Sequence, residues 1–152
     1  MSATAALARL RSTFRSGVTL DVAWRVKQLE ALKKMVYENQ DAFIQALRDD
    51  LHKPEFETVV MELAMFFDDV ELALESIYQW VQPRPVNRPN VLLWGMDSMQ
   101  MLPEPFGLLL MIVPWNYPFQ LSLVPLVGII AAGNCCVIKV RTLQNTLDVI
   151  WN

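Results

Sequence analysis

Hydrophobic positions recur every three or four residues through the first eighty residues of this chain, then change to unbroken apolar runs. The first pattern predicts helices and the second predicts buried strands. Leu7, Leu10 and Phe14 mark a first helix, which Gly17 is placed to close. Thr19 or Asp21 can cap a second helix whose inner stripe is Leu29, Leu32 and Val36, with Arg25, Lys27, Lys33 and Lys34 facing water. Asp41 can open a third, with Phe43, Ile44 and Leu47 turned inward. Pro54 suits the first turn of a fourth, running to about Val81, with Val59, Leu63, Phe66, Phe67, Val70, Leu74, Ile77 and Trp80 on its apolar side.

Pro83, Pro85 and Pro89 then form a stiff extended linker that cannot be helical, with a strand expected over 96–102. From Phe106 the runs become continuous. Residues 106–113 and 135–139 read as strands of a parallel sheet covered on both faces, with an apolar helical segment between them. The first run ends in a rigid loop, Pro114-Trp115-Asn116-Tyr117-Pro118, and the second ends at Lys139. Loop and lysine therefore share the carboxyl ends of the strands, where open α/β sheets bind ligands.

Composition narrows the picture. Of 152 residues, 53% are hydrophobic and 19% charged, which supports a packed core and excludes a disordered chain. A formal net charge of -3, with no basic stripe, gives no footprint for nucleic acid. The two cysteines, Cys135 and Cys136, argue against a disulfide framework and fit a reducing, cytoplasmic compartment. The apolar region 106–138 contains no membrane span, because Pro114, Asn116, Pro118, Pro125, Gly133 and Asn134 break it into pieces shorter than the ~20 residues a spanning helix needs. Two strands alone make a marginal sheet, so the sequence predicts a fragment, a truncated isoform or an incomplete gene product.

Three segments carry a family resemblance: Asp50-Leu51-His52-Lys53-Pro54 with the acidic helix after it, Glu104 to Pro118, and Pro125 to Lys139. With them the chain resembles the N-terminal part of the aldehyde dehydrogenase superfamily, nearest its class-three and fatty-aldehyde branch. The resemblance implies an α/β fold: a helical lead-in followed by the first strands of a Rossmann-like parallel sheet. The expected organisation is a helical segment over 1–82, a linker with an edge strand over 83–104, the start of an NAD(P)-binding domain over 105–139, and a divergent tail over 140–152. Lys139 is followed by Val140-Arg141-Thr142, where the family continues with Lys-Pro-Ser-Glu or a near variant. The family's nucleophilic cysteine, general-base glutamate and glycine-rich nucleotide turn lie further downstream, so this chain alone is expected to be inactive.

The resemblance also implies roles. Asn116 would donate its side-chain amide to the oxyanion formed when a thiolate attacks an aldehyde; the alternative is a turn asparagine capping the helix that starts near Pro118. Val113, Pro114 and Trp115 would line the cofactor cleft, largely through backbone. Lys139 would meet the adenosine ribose hydroxyls of NAD or a phosphate there in NADP, or else be a solvated charge ending a strand. Tyr117 would belong to the wall of the aldehyde tunnel, or simply pack in the core. Cys135 and Cys136, inside an apolar strand with no acid or histidine near them in sequence, read as inert. His52 reads as structural and no metal site is expected. Asp68, Asp69, Glu71 and Glu75 form an acidic, solvated helix face. A homodimer is expected of the full-length family member.

Overall fold

A computed structural model describes residues 3–86 and 99–140. Helices α1 (Ala3–Arg15), α2 (Val22–Glu38) and α3 (Gln40–Leu51) come first. Gly17 adopts the left-handed conformation (φ 77°) that closes α1, and the Asp21 carboxylate accepts the Ala23 N–H at 3.0 Å to cap α2. The fourth helical stretch follows one continuous path but is not uniform. Residues Glu55–Thr58 (α4) and Ala64–Trp80 (α5) flank a π-helical turn, Val59–Leu63. The wider turn shifts the inward face, so Thr58, Glu62, Leu63, Phe66, Val70, Ala73 and Ile77 are buried while Val59 and Trp80, expected inside, are exposed.

Strands β1 (Arg84–Pro85) and β2 (Gln100–Met101) pair antiparallel. The second falls within the strand expected over 96–102, whose first three residues lie outside the described residues, as do Pro89 and 141–152. Strands β3 (Leu108–Val113) and β4 (Cys135–Val140) pair in parallel, with Leu108 opposite Cys135 and Ile112 opposite Lys139. Helix α6 (Gln120–Ala131) connects them as a βαβ crossover.

One core joins the two patterns. Leu29 and Val36 of α2, Phe43 and Leu47 of α3 and Phe66, Val70 and Ile77 of α5 pack with Phe119, Leu123, Val127 and Ala131. The rings of Phe43 and Phe119 meet with centroids 4.4 Å apart. Burial on both faces, expected for β3 and β4, is not reached throughout: Leu110 and Ile112, which share one face of β3, stay 63% and 66% exposed.

A second correction concerns Arg25, expected to face water. It is buried, and its guanidinium donates to the carbonyls of Thr19 (2.6 Å), Leu20 (2.9 Å) and Ala131 (3.1 Å). Burial costs little when three carbonyls satisfy the group, and a cation at the carboxyl end of α6 is favoured by the helix dipole. Desolvation still lowers the guanidinium pKa, with nearby Asp21 opposing the shift. Among the described residues no helix is long and apolar enough to cross a membrane, and no cluster of three metal-ligating side chains occurs.

Candidate active site

The carboxyl edge of the β3–β4 pair is built by two breaks in the chain. Pro114 ends β3 because it cannot donate to the ladder. The loop that follows runs between two buried posts, Val113 and Phe119, with Pro114, Trp115 and Asn116 exposed between them. The parallel register sets Lys139 beside Ile112, so its exposed side chain belongs to the same edge as the loop. The edge thus gathers every position the sequence marked: Val113, Pro114, Trp115, Asn116, Tyr117 and Lys139. Val113 turns its side chain into the core, leaving only its backbone to the edge.

The capping alternative for Asn116 fails. Helix α6 receives no side-chain cap from the residue that begins it. Its first amides are taken instead by Glu62, whose Oε2 accepts from the N–H groups of Phe119 (2.8 Å) and Gln120 (3.3 Å). Glu62 can do this because the π-helical turn aims it inward, and a carboxylate at a helix N-terminus meets both orphan donors and the positive end of the dipole. The amide of Asn116 remains on the surface of the loop, free to donate outward.

Tyr117 occupies a different setting from its neighbours. Lys53 Nζ lies 3.6 Å from its ring centroid, and its hydroxyl donates to Glu57 Oε1 at 3.3 Å. The Glu57 charge, the hydrogen bond to it and a smaller contribution from Glu62 raise the Tyr117 pKa. Lys53 is buried and pairs with Glu62 Oε1 at 2.6 Å. His52 explains how a lysine reaches the interior. It closes α3 in a left-handed conformation (φ 54°), its N–H donating to the Arg48 carbonyl at 3.1 Å, and the reversal directs the next residue inward. Sequence reading missed the Lys53–Glu62 pair. The available signal was weak: an acid among apolar residues, separated by nine positions from a lysine that precedes a proline.

Both cysteines match the inert reading. Cys135 is buried, Cys136 is partly buried, and desolvation raises both thiol pKa values, so neither is primed as a thiolate. A cavity of about 720 Å³ lies elsewhere, lined by Phe14, Arg25, Trp80 and Glu104 among others, and it includes none of the edge residues.

The sequence pattern of the aldehyde dehydrogenase family matches residues 1–148. The chain belongs to the aldehyde dehydrogenase family. Human aldehyde dehydrogenase family 3 member B1 is 42% identical over 144 residues, covering 95% of this chain and 30% of the relative. An aldehyde dehydrogenase of Craterostigma plantagineum is 43% identical over 130 residues, covering 86% of this chain and 27% of the relative. The chain therefore spans roughly 30% of the length of the curated relatives it matches.

Solved aldehyde dehydrogenases share the fold. The substrate-bound state of Staphylococcus aureus AldH superposes with a TM-score of 0.85 at 30% identity, over 91% of this chain and 30% of that one. Succinic semialdehyde dehydrogenase from Streptococcus pyogenes, solved in complex with NADP+, superposes with a TM-score of 0.76 at 18% identity, over 89% of this chain and 28% of that one. The helical lead-in and the parallel β3–α6–β4 unit are thus an N-terminal portion of the aldehyde dehydrogenase fold, as the resemblance implied.

Proposed function

We propose that this chain is the N-terminal segment of an NAD(P)-dependent aldehyde dehydrogenase that oxidises aliphatic or aromatic aldehydes to carboxylic acids. The observation that supports this most directly is the Asn116 amide, exposed at the carboxyl edge of the parallel pair and relieved of capping duty by Glu62. On this reading a thiolate from downstream of the matched segment attacks the aldehyde carbon, and the carbonyl electrons become an oxyanion. Asn116 donates to that oxygen. A donor already in place is worth ~2.7–4 kcal/mol in such a step. A nicotinamide cofactor held beside Lys139 and the Val113–Trp115 backbone would supply the hydride acceptor, so that the oxyanion could collapse to a thioester for water to cleave to the acid.

The residues present suit a dinucleotide. Lys139 gives a cation at a strand's carboxyl end for the adenosine ribose of NAD or a phosphate there in NADP. The backbone of Val113, Pro114 and Trp115 gives the adjoining wall. Fold relatives hold NADP+ in one case and nicotinamide adenine dinucleotide in another, and the proposal keeps both. Tyr117 takes the inner side of the aldehyde passage, held there by Lys53 and Glu57. The division into a helical segment (1–82), a linker (83–104), the start of the cofactor domain (105–139) and a divergent tail (140–152) belongs to the same proposal, as does a homodimer of the full-length protein.

A second reading is a truncated, non-catalytic product, favoured by Val140-Arg141-Thr142 where the family pattern carries a proline, serine and glutamate run. The intact mass of the native polypeptide separates the two readings. A product longer than these 152 residues should reduce NAD+ or NADP+ when given an aldehyde, and Asn116→Ala should lower kcat by about 10²–10³-fold. A longer product that makes no NAD(P)H with any aldehyde would overturn the enzymatic reading.

A further inference from the structure

The loop that carries Asn116 is short, exposed and polar at its centre, yet an oxyanion donor must be held to within about 0.5 Å of its working place. The carbonyls of Tyr117 and Pro118 accept from the Leu121 N–H (3.0 Å) and the Ser122 hydroxyl, which ties the loop's end to α6 through its carbonyls. A second restraint comes from an element distant in sequence. Glu62 is fully buried and carries a carboxylate whose two oxygens are both engaged, one by Lys53 Nζ at 2.6 Å and the other by the amides of Phe119 and Gln120. Lys53 in turn lies over the Tyr117 ring at 3.6 Å. One buried pair therefore grips the residue after Asn116 through its ring, and grips the first amides of α6 through a carboxylate.

We infer that Glu62, held by Lys53, is the positioning residue that fixes the direction of the Asn116 amide. The inference rests on the reading of Asn116 as oxyanion donor and adds what keeps it in place. The π-helical turn at Val59–Leu63 has a purpose on this account. An unbroken α-helix would carry Glu62 round to a different direction, and single π turns recur at functional sites for this kind of reorientation. The pair is also poorly suited to act as simple ballast. Desolvating two charges offsets most of their attraction, so a buried ion pair adds little stability beyond that of apolar residues of the same size. What it adds here is direction: one oxygen is held by Lys53, which aims the other at two named amides.

The test uses the isotope-labelled 152-residue chain and its Glu62→Gln variant, with amide hydrogen exchange followed by nuclear magnetic resonance. Charge-assisted bonds to Phe119 and Gln120 should give at least about tenfold slower exchange than in the variant. Exchange at Leu123 and Val127, deeper in α6, should stay within about twofold between the two. The side-chain amide resonances of Asn116 should shift in the variant. Equal acceleration along the whole helix would show that Glu62 serves only global stability and would overturn the inference, and so would an Asn116 amide that does not respond. Should the variant fail to fold, the unaltered chain decides: a scalar coupling across the hydrogen bond from the Phe119 amide to the Glu62 carboxyl carbon is expected, and its absence overturns the inference. Failure of the oxyanion reading is separate, because it would show as full aldehyde oxidation by Asn116→Ala in the longer native product.

Discussion

Replacing Gly133 with alanine tests how the carboxyl end of α6 is fastened. Gly133 sits at φ 81°, and a Cβ built there would lie 2.7 Å from Arg25 Cζ and Nη2 and 2.9 Å from its Nε. A left-handed alanine costs about 1–2 kcal/mol by itself. The guanidinium cannot step aside freely, because the carbonyls of Thr19, Leu20 and Ala131 hold all three of its nitrogens. Moving it forfeits at least one charged hydrogen bond, about 1.5–3 kcal/mol. Gly133→Ala should therefore destabilise by about 2.5–5 kcal/mol, and with a urea slope near 2 kcal/mol/M the midpoint should fall by roughly 1–2.5 M. Urea unfolding followed by circular dichroism measures this. Arg25→Ala supplies the control: in that background the glycine change should cost only the backbone part, about 1–2 kcal/mol. A loss below about 0.5 kcal/mol, or the same loss in both backgrounds, would refute the reasoning.

Other outcomes follow from the same geometry. Asn134→Ala should cost about 1–3 kcal/mol in urea unfolding, because the Asn134 Oδ1 that accepts the buried Gly107 N–H at 2.8 Å disappears and leaves that donor unpaired. Glu57→Gln should bring the Tyr117 phenol back toward its ordinary pKa, read from tyrosinate absorbance, since Glu57 is the largest cause of its rise. The sign for stability follows: a folded-state pKa above the unfolded one gives stability that is complete below the unfolded value and is lost as pH rises through the folded value. Alkaline destabilisation should accordingly weaken in Glu57→Gln. The thiols of Cys135 and Cys136, raised by desolvation, should resist iodoacetamide at neutral pH in the folded chain and react once urea unfolds it; rapid labelling of the folded chain would contradict this.

Much of the fold was legible in the sequence because its signals are local. Gly17, Asp21 and the two apolar runs mark a helix end, a helix start and the paired strands β3 and β4 from neighbouring residues alone. The Asn116 loop was legible for the same reason, as a polar amide between prolines at a strand end. What escaped depends on partners distant in sequence. Arg25 looked like one more solvated cation on α2, and its burial follows from the carbonyl of Ala131, 106 positions away. Glu62 carried no signal of its own in the sequence, because its partners are amides 57 and 58 positions away. A periodicity count also assumes 3.6 residues per turn, and the π turn at Val59–Leu63 breaks that assumption where the functional acid sits.

Helix α6 belongs to two structures at once: it links the parallel strands, and through Phe119, Leu123, Val127 and Ala131 it shares the core of α2, α3 and α5. The covalent seam of the chain and its energetic seam therefore lie in different places. A protease cutting within the proline-rich stretch 83–104 would sever the backbone without separating the halves, which should still elute together until denaturant dissolves the core between them.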